Sequence, residues 1–96
     1  MKTVFKIDIN IKDLLRDYQK YGKNDFLCPV GYDSISDFIK ICKEWKTENT
    51  IIVFSFDEAM WFNFGDTVLL NNTYYKVISK TFDAKQNVIS YFLNYE

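Results

Sequence analysis

Few residues in this chain could do chemistry, and their spacing is not typical of an enzyme active site. Asp57 and Glu58 are adjacent, so on a strand their carboxylates would point to opposite faces and could not act as a catalytic pair. Asp13 and Asp17 share a helix face, but Arg16 lies between them and indicates a solvated, charge-paired surface. The chain has no histidine, the commonest general base and metal ligand. We therefore expect no enzymatic activity, no cofactor and no bound metal.

The two cysteines, Cys28 and Cys42, sit in apolar surroundings and have no histidine to activate them as nucleophiles. We expect both to be buried free thiols. A disulfide would need an oxidising compartment, and we expect no signal peptide. The expected location is therefore the cytoplasm.

The most unusual stretch runs from Asp57 to Asp66 and fits neither a simple strand nor a simple helix. It lies within residues 47–75, which contain four acids and no basic residue, although the whole chain has a net charge of −1. Aromatic and methionine anchors with a charged rim are typical of protein–protein interfaces. The candidate protein-binding residues are Asp57, Glu58, Met60, Trp61, Phe62, Phe64 and Asp66. The alternative is a bent strand pair whose aromatic rings enter the core while the acids stay solvated.

A second candidate surface combines aromatic and basic residues on one predicted sheet face. Tyr74, Lys76, Lys80 and Phe82 lie on a single strand, in the arrangement that single-stranded nucleic-acid binders use for base stacking and phosphate contact. The alternative is that Phe82 is packed and the lysine stems lie over the apolar residues. A net charge of −1 and a single arginine argue against nucleic acid as the main partner.

The C-terminal segment from Gly65 to Tyr95 predicts three antiparallel strands that would position both surfaces. Strand signals cover Asp66–Leu70, Thr73–Phe82 and Val88–Tyr95. Asn71-Asn72 predicts a two-residue turn, and the polar residues 83–87 predict a second turn.

Side-chain alternation predicts how these strands align. Val68 should lie opposite Tyr75, Tyr75 opposite Tyr95, and Val77 opposite Leu93. One face is then apolar throughout, formed by Val68, Tyr75, Val77, Ile89, Tyr91, Leu93 and Tyr95. The other face is mixed and includes Leu69, Tyr74, Lys76, Ile78, Lys80, Phe82 and Phe92. The apolar face has to be covered by elements that precede it in the chain.

The first of those elements is a strand at Thr3–Ile9, which alternates between apolar and polar residues. Asn10 is a typical cap for a helix that begins at Ile11, carries apolar residues at helical spacing as far as Tyr21, and stops at Gly22.

Residues 23–33 predict a loop, because Pro29 and Gly31 interrupt any regular pattern there. Ser34 then caps a second amphipathic helix that should end near Lys46. The run Thr50–Phe56 is continuously apolar and rich in branched residues, which predicts a central strand buried on both sides.

With 96 residues, of which 48% are hydrophobic, the chain predicts a single domain over residues 1–96. The order of elements favours an α+β fold, in which two helices pack on a mainly antiparallel sheet. The C-terminal meander either stays open or curls into a small, partly closed barrel.

At Phe64-Gly65-Asp66-Thr67-Val68, followed by Tyr74-Tyr75-Lys76-Val77, the chain resembles the small β-barrel modules of phage head–tail connector and related virion proteins. The likeness covers the last third of the chain and implies a non-catalytic assembly role. A composition rich in Asn, Lys, Ile, Tyr and Phe fits a phage or mobile element from an AT-rich genome, in which case the location would be the host cytoplasm or a virion.

Together these features predict a non-enzymatic protein-binding or assembly module, either a structural component or an inhibitor of a host protein. Its expected partner is another protein or a second copy of itself. The alternative function is a single-stranded nucleic-acid binder. Membrane insertion is not expected, since no apolar run approaches the length of about 18 residues that a spanning helix needs.

Overall fold

The computed structural model describes residues 1–22 and 26–96. It contains five strands and two α-helices: β1 (Lys2–Asn10), α1 (Ile11–Asp17), α2 (Ile35–Glu44), β2 (Asn49–Phe56), β3 (Thr67–Leu70), β4 (Thr73–Asp83) and β5 (Val88–Tyr95). A π-helical turn at Tyr18–Gly22 extends α1. Of the predicted loop over residues 23–33, residues 26–33 contain no helix or strand. Residues 23–25 lie outside the described residues.

The five strands form one sheet in the order β2-β1-β5-β4-β3. Strand β1 pairs antiparallel with β2 and parallel with β5, and the β5–β4 and β4–β3 pairs are antiparallel. The sheet is therefore mainly antiparallel, which confirms the predicted α+β architecture. It stays open instead of closing into a barrel, because the two edge strands, β2 and β3, are not paired with each other among the described residues.

The predicted register of the C-terminal strands is confirmed at three positions. Val68 pairs with Tyr75, Tyr75 with Tyr95, and Val77 with Leu93. The Asn71-Asn72 turn has positive φ angles of 51° and 60°, as a primed hairpin turn requires. Of the predicted apolar face only Tyr95 is exposed, and the other residues are buried in one core.

The two helices and the inner face of the sheet share this core, which combines Leu14, Phe38 and Cys42 from the helices with residues from every strand. Both helices begin at their predicted caps. The Asn10 side chain accepts a hydrogen bond from the Asp13 N–H at 3.0 Å. The Ser34 hydroxyl accepts one from the Asp37 N–H at 3.2 Å.

The ends of the helices follow from close packing and from their caps. At Gly22, a Cβ atom would lie 2.5 Å from a ring carbon of Phe26, so a larger residue does not fit where this turn ends. Helix α2 ends at Glu44, two residues before the predicted Lys46. Neither α-helix is long and apolar enough to cross a bilayer, a finding that covers residues 1–22 and 26–96.

The prediction that residues 50–56 form a central strand buried on both sides is wrong. Strand β2 is an edge strand, and Ile51 is 57% exposed on the outer face of the sheet. Only Ile52 and Phe54 of this strand are fully buried. An apolar run shows where a strand forms but not its place in the sheet. The free edge of β2 is met at its centre by the loop, where the Val30 N–H donates to the Val53 carbonyl oxygen at 2.7 Å.

The prediction of two buried thiols holds for one cysteine only. Both cysteines are free, but Cys42 is buried in the core and Cys28 is exposed on the loop. Burial raises the pKa of Cys42 to about 11. The pKa of Cys28 is also raised, first by local desolvation and then by the carboxylates of Asp33 and Asp37. Both shifts disfavour the thiolate, which is the reactive form.

Candidate protein-binding site

Residues 57–66, called the crossing segment below, connect strand β2 at one edge of the sheet to strand β3 at the other edge. The segment therefore has to pass over β1, β5 and β4. Two side chains of the sheet hold its backbone. The buried Thr3 hydroxyl donates to the Glu58 carbonyl oxygen at 2.7 Å and accepts from the Met60 N–H at 2.8 Å.

The second of these side chains is Tyr91 on β5. Its hydroxyl donates to the Met60 carbonyl oxygen at 2.6 Å and accepts from the Phe62 N–H at 2.9 Å. Four backbone polar groups of the crossing segment are thus paired with buried hydroxyls from the sheet. The segment is irregular, yet its backbone is fixed to the core by hydrogen bonds.

The large side chains of the crossing segment differ in their burial. Met60 and Phe62 are half-buried and pack against the core, where the Phe62 ring lies 5.5 Å from the ring of Tyr91. Trp61 is 63% exposed, and Phe64 is 79% exposed. Two of the predicted anchors therefore contribute to the core, and the other two face solvent.

Phe64 is held at the tip of a tight turn. The Asp66 N–H donates to the Asn63 carbonyl oxygen at 3.0 Å, and the Asp66 carboxylate accepts from the Asn63 N–H at 2.7 Å. Gly65 has a φ of 87°, a conformation that favours glycine. The turn is joined to β4 by hydrogen bonds between Gly65 and Val77 and between Val77 and Asp66, both at 2.9 Å.

The three predicted acids have different surroundings. The Asp66 carboxylate lies in the turn and accepts the hydrogen bond from the Asn63 N–H described above. Asp57 has a side chain that is 94% exposed and lies 3.8 Å from the Lys2 ammonium group. Glu58 is exposed as well. Asp57 and Glu58 therefore form a solvated acidic rim that Lys2 partly neutralises.

The structure separates the four residues of the predicted nucleic-acid face. Strand β4 contains a bulge between Val77 and Ser79, after which Lys80 pairs with Tyr91 and Phe82 with Ile89. A bulge inserts one extra residue and so reverses the faces of the residues that follow it. Tyr74 and Lys76 remain on the outer face, whereas Lys80 and Phe82 lie on the face of the buried Tyr91. The predicted single face is therefore wrong.

The same bulge brings Lys80 to the crossing segment. The Lys80 ammonium nitrogen lies 5.4 Å from the centre of the Trp61 ring and 6.0 Å from that of Tyr91. These distances are within the range of cation–π attraction. Phe82, which is 54% exposed, lies two residues further along the same strand and on the same face. Sequence reasoning missed this association because it placed Lys80 on the other face.

The crossing segment lines an open cavity of about 530 Å³. Its walls include the inward-facing Met60 and Phe62, together with apolar residues from three strands, Phe5, Phe56, Val68 and Leu70. Leu27 of the loop also lines the cavity, and its N–H donates to the Asn71 side chain at 2.8 Å.

Comparisons of the chain with protein-family models, with curated proteins and with solved structures found no match. Within residues 1–22 and 26–96, no group of three or more acidic or cysteine side chains is placed to hold a metal ion. The function is therefore inferred from the exposed aromatic residues and the cavity beside them.

Proposed function

We propose that this chain is a non-enzymatic protein-binding or assembly module that contacts its partner through Trp61 and Phe64. The observation that carries the proposal is the contrast between the two rings, which are 63% and 79% exposed, and their fixed backbone. The buried Thr3 and Tyr91 hold the backbone next to Trp61, and the Asn63–Asp66 turn holds it around Phe64. Large aromatic side chains dominate the binding energy of protein interfaces. A fixed backbone lowers the conformational entropy that is lost on binding.

The exposed rings of Trp61 and Phe64 should contribute little to the stability of the fold. Met60 and Phe62 pack against the core, so the crossing segment is already anchored by its inward side chains. An exposed ring adds little to the stability of a folded domain. Two such rings, three residues apart on a fixed backbone, are what a contact surface needs.

The polar rim indicates the chemistry of the partner. Asp57 and Glu58 precede the rings in the crossing segment and are solvated. The Lys80 ammonium nitrogen lies 5.4 Å from the centre of the Trp61 ring. We infer a partner with an apolar patch that carries basic groups at its edge facing Asp57 and Glu58. A second copy of the chain is a less favoured partner. A two-fold symmetric contact through this surface would place Asp57 and Glu58 of one copy near the same carboxylates of the other.

Single-stranded nucleic acid is the second candidate, and the bulge in β4 weakens it. The proposed stacking face would need Lys76 and Lys80 side by side, and these residues lie on opposite faces of the sheet. Protein binding does not depend on that juxtaposition.

Site-specific photo-cross-linking tests the proposal. Phe64→p-benzoylphenylalanine places the reactive group at the more exposed of the two rings, and Tyr74→p-benzoylphenylalanine is the matched control on the outer face, where Tyr74 is 58% exposed. We expect a discrete protein adduct from position 64 that is absent from position 74. Adducts from position 74 alone would contradict the proposal. A dimer adduct of the chain would identify self-association, and an oligonucleotide adduct would favour the second candidate.

An origin in a phage or mobile element, with a location in the host cytoplasm or a virion, belongs to the same proposal. It is supported by the composition and by the resemblance of the last third of the chain. Neighbouring genes for virion components or host-defence inhibitors would agree with it, and genes of metabolic enzymes would count against it.

A further inference from the structure

We propose that the open cavity lined by the crossing segment receives one large apolar side chain of the partner protein. This inference rests on the proposed function and extends it to a specific pocket. The cavity of about 530 Å³ lies within the size range of roughly 300–1,000 Å³ that is typical of ligand sites. A cavity of about 150 Å³ already binds benzene, so this one has room for an aromatic ring.

The lining of the cavity selects an uncharged group. Its walls are phenylalanine, methionine, leucine and valine side chains, and the polar members among the described residues are Thr67, Asn71 and Asn72, none of which is charged. One of these, Asn71, has its side-chain oxygen occupied by the Leu27 N–H. A charged group placed here would lose its hydration without gaining an ionic partner from the described lining.

The crossing segment connects this cavity to the proposed contact surface. Met60 and Phe62 line the cavity, and Trp61 between them is exposed. A partner that covers Trp61 and Phe64 is therefore within one or two residues of the cavity. An apolar side chain that enters it would exchange contact with water for contact with the apolar lining, as the strongest anchors of interfaces do.

Methionine-methyl NMR gives a direct test, because the chain has two methionines. Met60 lines the cavity, and Met1 is not among its lining residues. Toluene serves as the probe for a phenylalanine side chain, and the benzylammonium ion serves as its charged counterpart. We expect toluene to shift the Met60 methyl resonance saturably, with no saturable shift at Met1 and none at Met60 with benzylammonium. No saturable shift at Met60, or equal shifts at both methionines, would overturn the inference.

A pair of variants in one loop links the pocket to the partner. Leu27→Trp places a ring at the cavity, whereas Val30→Trp places one at an exposed position outside it; the two residues are 37% and 55% exposed, so neither change disrupts the core. We expect Leu27→Trp to abolish the toluene shift and to weaken binding of the partner cross-linked at position 64 at least tenfold, while Val30→Trp changes neither. If cross-linking at position 64 succeeds and Leu27→Trp leaves binding unchanged, the pocket is not used and the proposed function still stands.

Discussion

The hydroxyl of Tyr91 donates a hydrogen bond to the carbonyl oxygen of Met60 at a distance of 2.6 Å. Tyr91 is fully buried on β5, and Met60 immediately precedes the exposed Trp61. The same hydroxyl accepts a hydrogen bond from Phe62 on the other side of Trp61. A core residue thus fixes the backbone on both sides of the residue proposed to bind the partner.

Tyr91→Phe should therefore loosen the crossing segment without removing a ring from the core. The change leaves the Met60 carbonyl and the Phe62 N–H without their partner, which should lower the free energy of unfolding by about 1–3 kcal/mol. Hydrogen exchange at the Phe62 amide should become faster. Tyr74→Phe, at an exposed position, is the control and should change neither quantity. An unchanged Phe62 exchange rate would show that Tyr91 does not hold the segment.

The paired residues Val77 and Leu93 should be essential to stability, since both are almost fully buried, at 0% and 1% exposure. Val77→Ala and Leu93→Ala should each cost about 2–4 kcal/mol of unfolding free energy. Ile78→Ala, one residue away but 43% exposed at the bulge, should cost much less. Denaturant midpoints measure all three, and equal losses at positions 77 and 78 would contradict the described burial.

The sequence predicts the register of these strands well because alternation is unambiguous where one face is buried. Val68, Tyr75 and Leu93 could be paired correctly from the chain alone. The bulge could not be predicted, because Val77 and Ile78 are both apolar and either could face the core. Lys80 and Phe82, which follow Ile78 in β4, therefore lie on the face opposite to the predicted one.

The long-range hydrogen bonds of the crossing segment could not be predicted from the sequence either. Thr3 and Glu58 are separated by 55 positions, and Met60 and Tyr91 by 31. Their pairing depends on β1 and β5 lying side by side, which is a property of the sheet topology. The sequence could identify Trp61 and Phe64 as candidates, but only this topology shows that they are exposed while Met60 and Phe62 are not.

Stability should decrease in alkaline solution. Burial raises the pKa of Cys42 to about 11. The pKa of Tyr75 is also raised above its ordinary value, mainly by burial and to a lesser degree by the neighbouring Tyr95. Because the unfolded chain loses these protons at lower pH than the folded chain, the free energy of unfolding should fall as the pH rises above about 9. Tyr75→Phe should make this fall shallower. Stability that is constant or rises between pH 9 and 11 would contradict the burial of these groups.

Binding to single-stranded nucleic acid should be negligible at physiological salt, because one arginine and a net charge of −1 allow little counterion release. Fluorescence anisotropy of a labelled oligonucleotide should show no saturation in the micromolar range. Tight binding that is lost in Lys80→Glu and retained in Lys76→Glu would instead assign nucleic-acid binding to the face that carries Trp61.

The central claim is that Trp61 serves binding and not folding, and one variant measured in two ways tests it most directly. In a Trp45→Phe background, Trp61 fluorescence should be quenched readily by acrylamide, and Trp61→Ala should lower the free energy of unfolding by less than about 1 kcal/mol. The same change should weaken binding of the partner identified by cross-linking by about 2 kcal/mol or more, which is a roughly thirtyfold higher dissociation constant. Tyr74→Ala, on the outer face, should leave binding unchanged. A shielded Trp61 whose loss costs about 3–5 kcal/mol of unfolding free energy, or a Trp61→Ala variant that binds as tightly as the original chain, would contradict the claim.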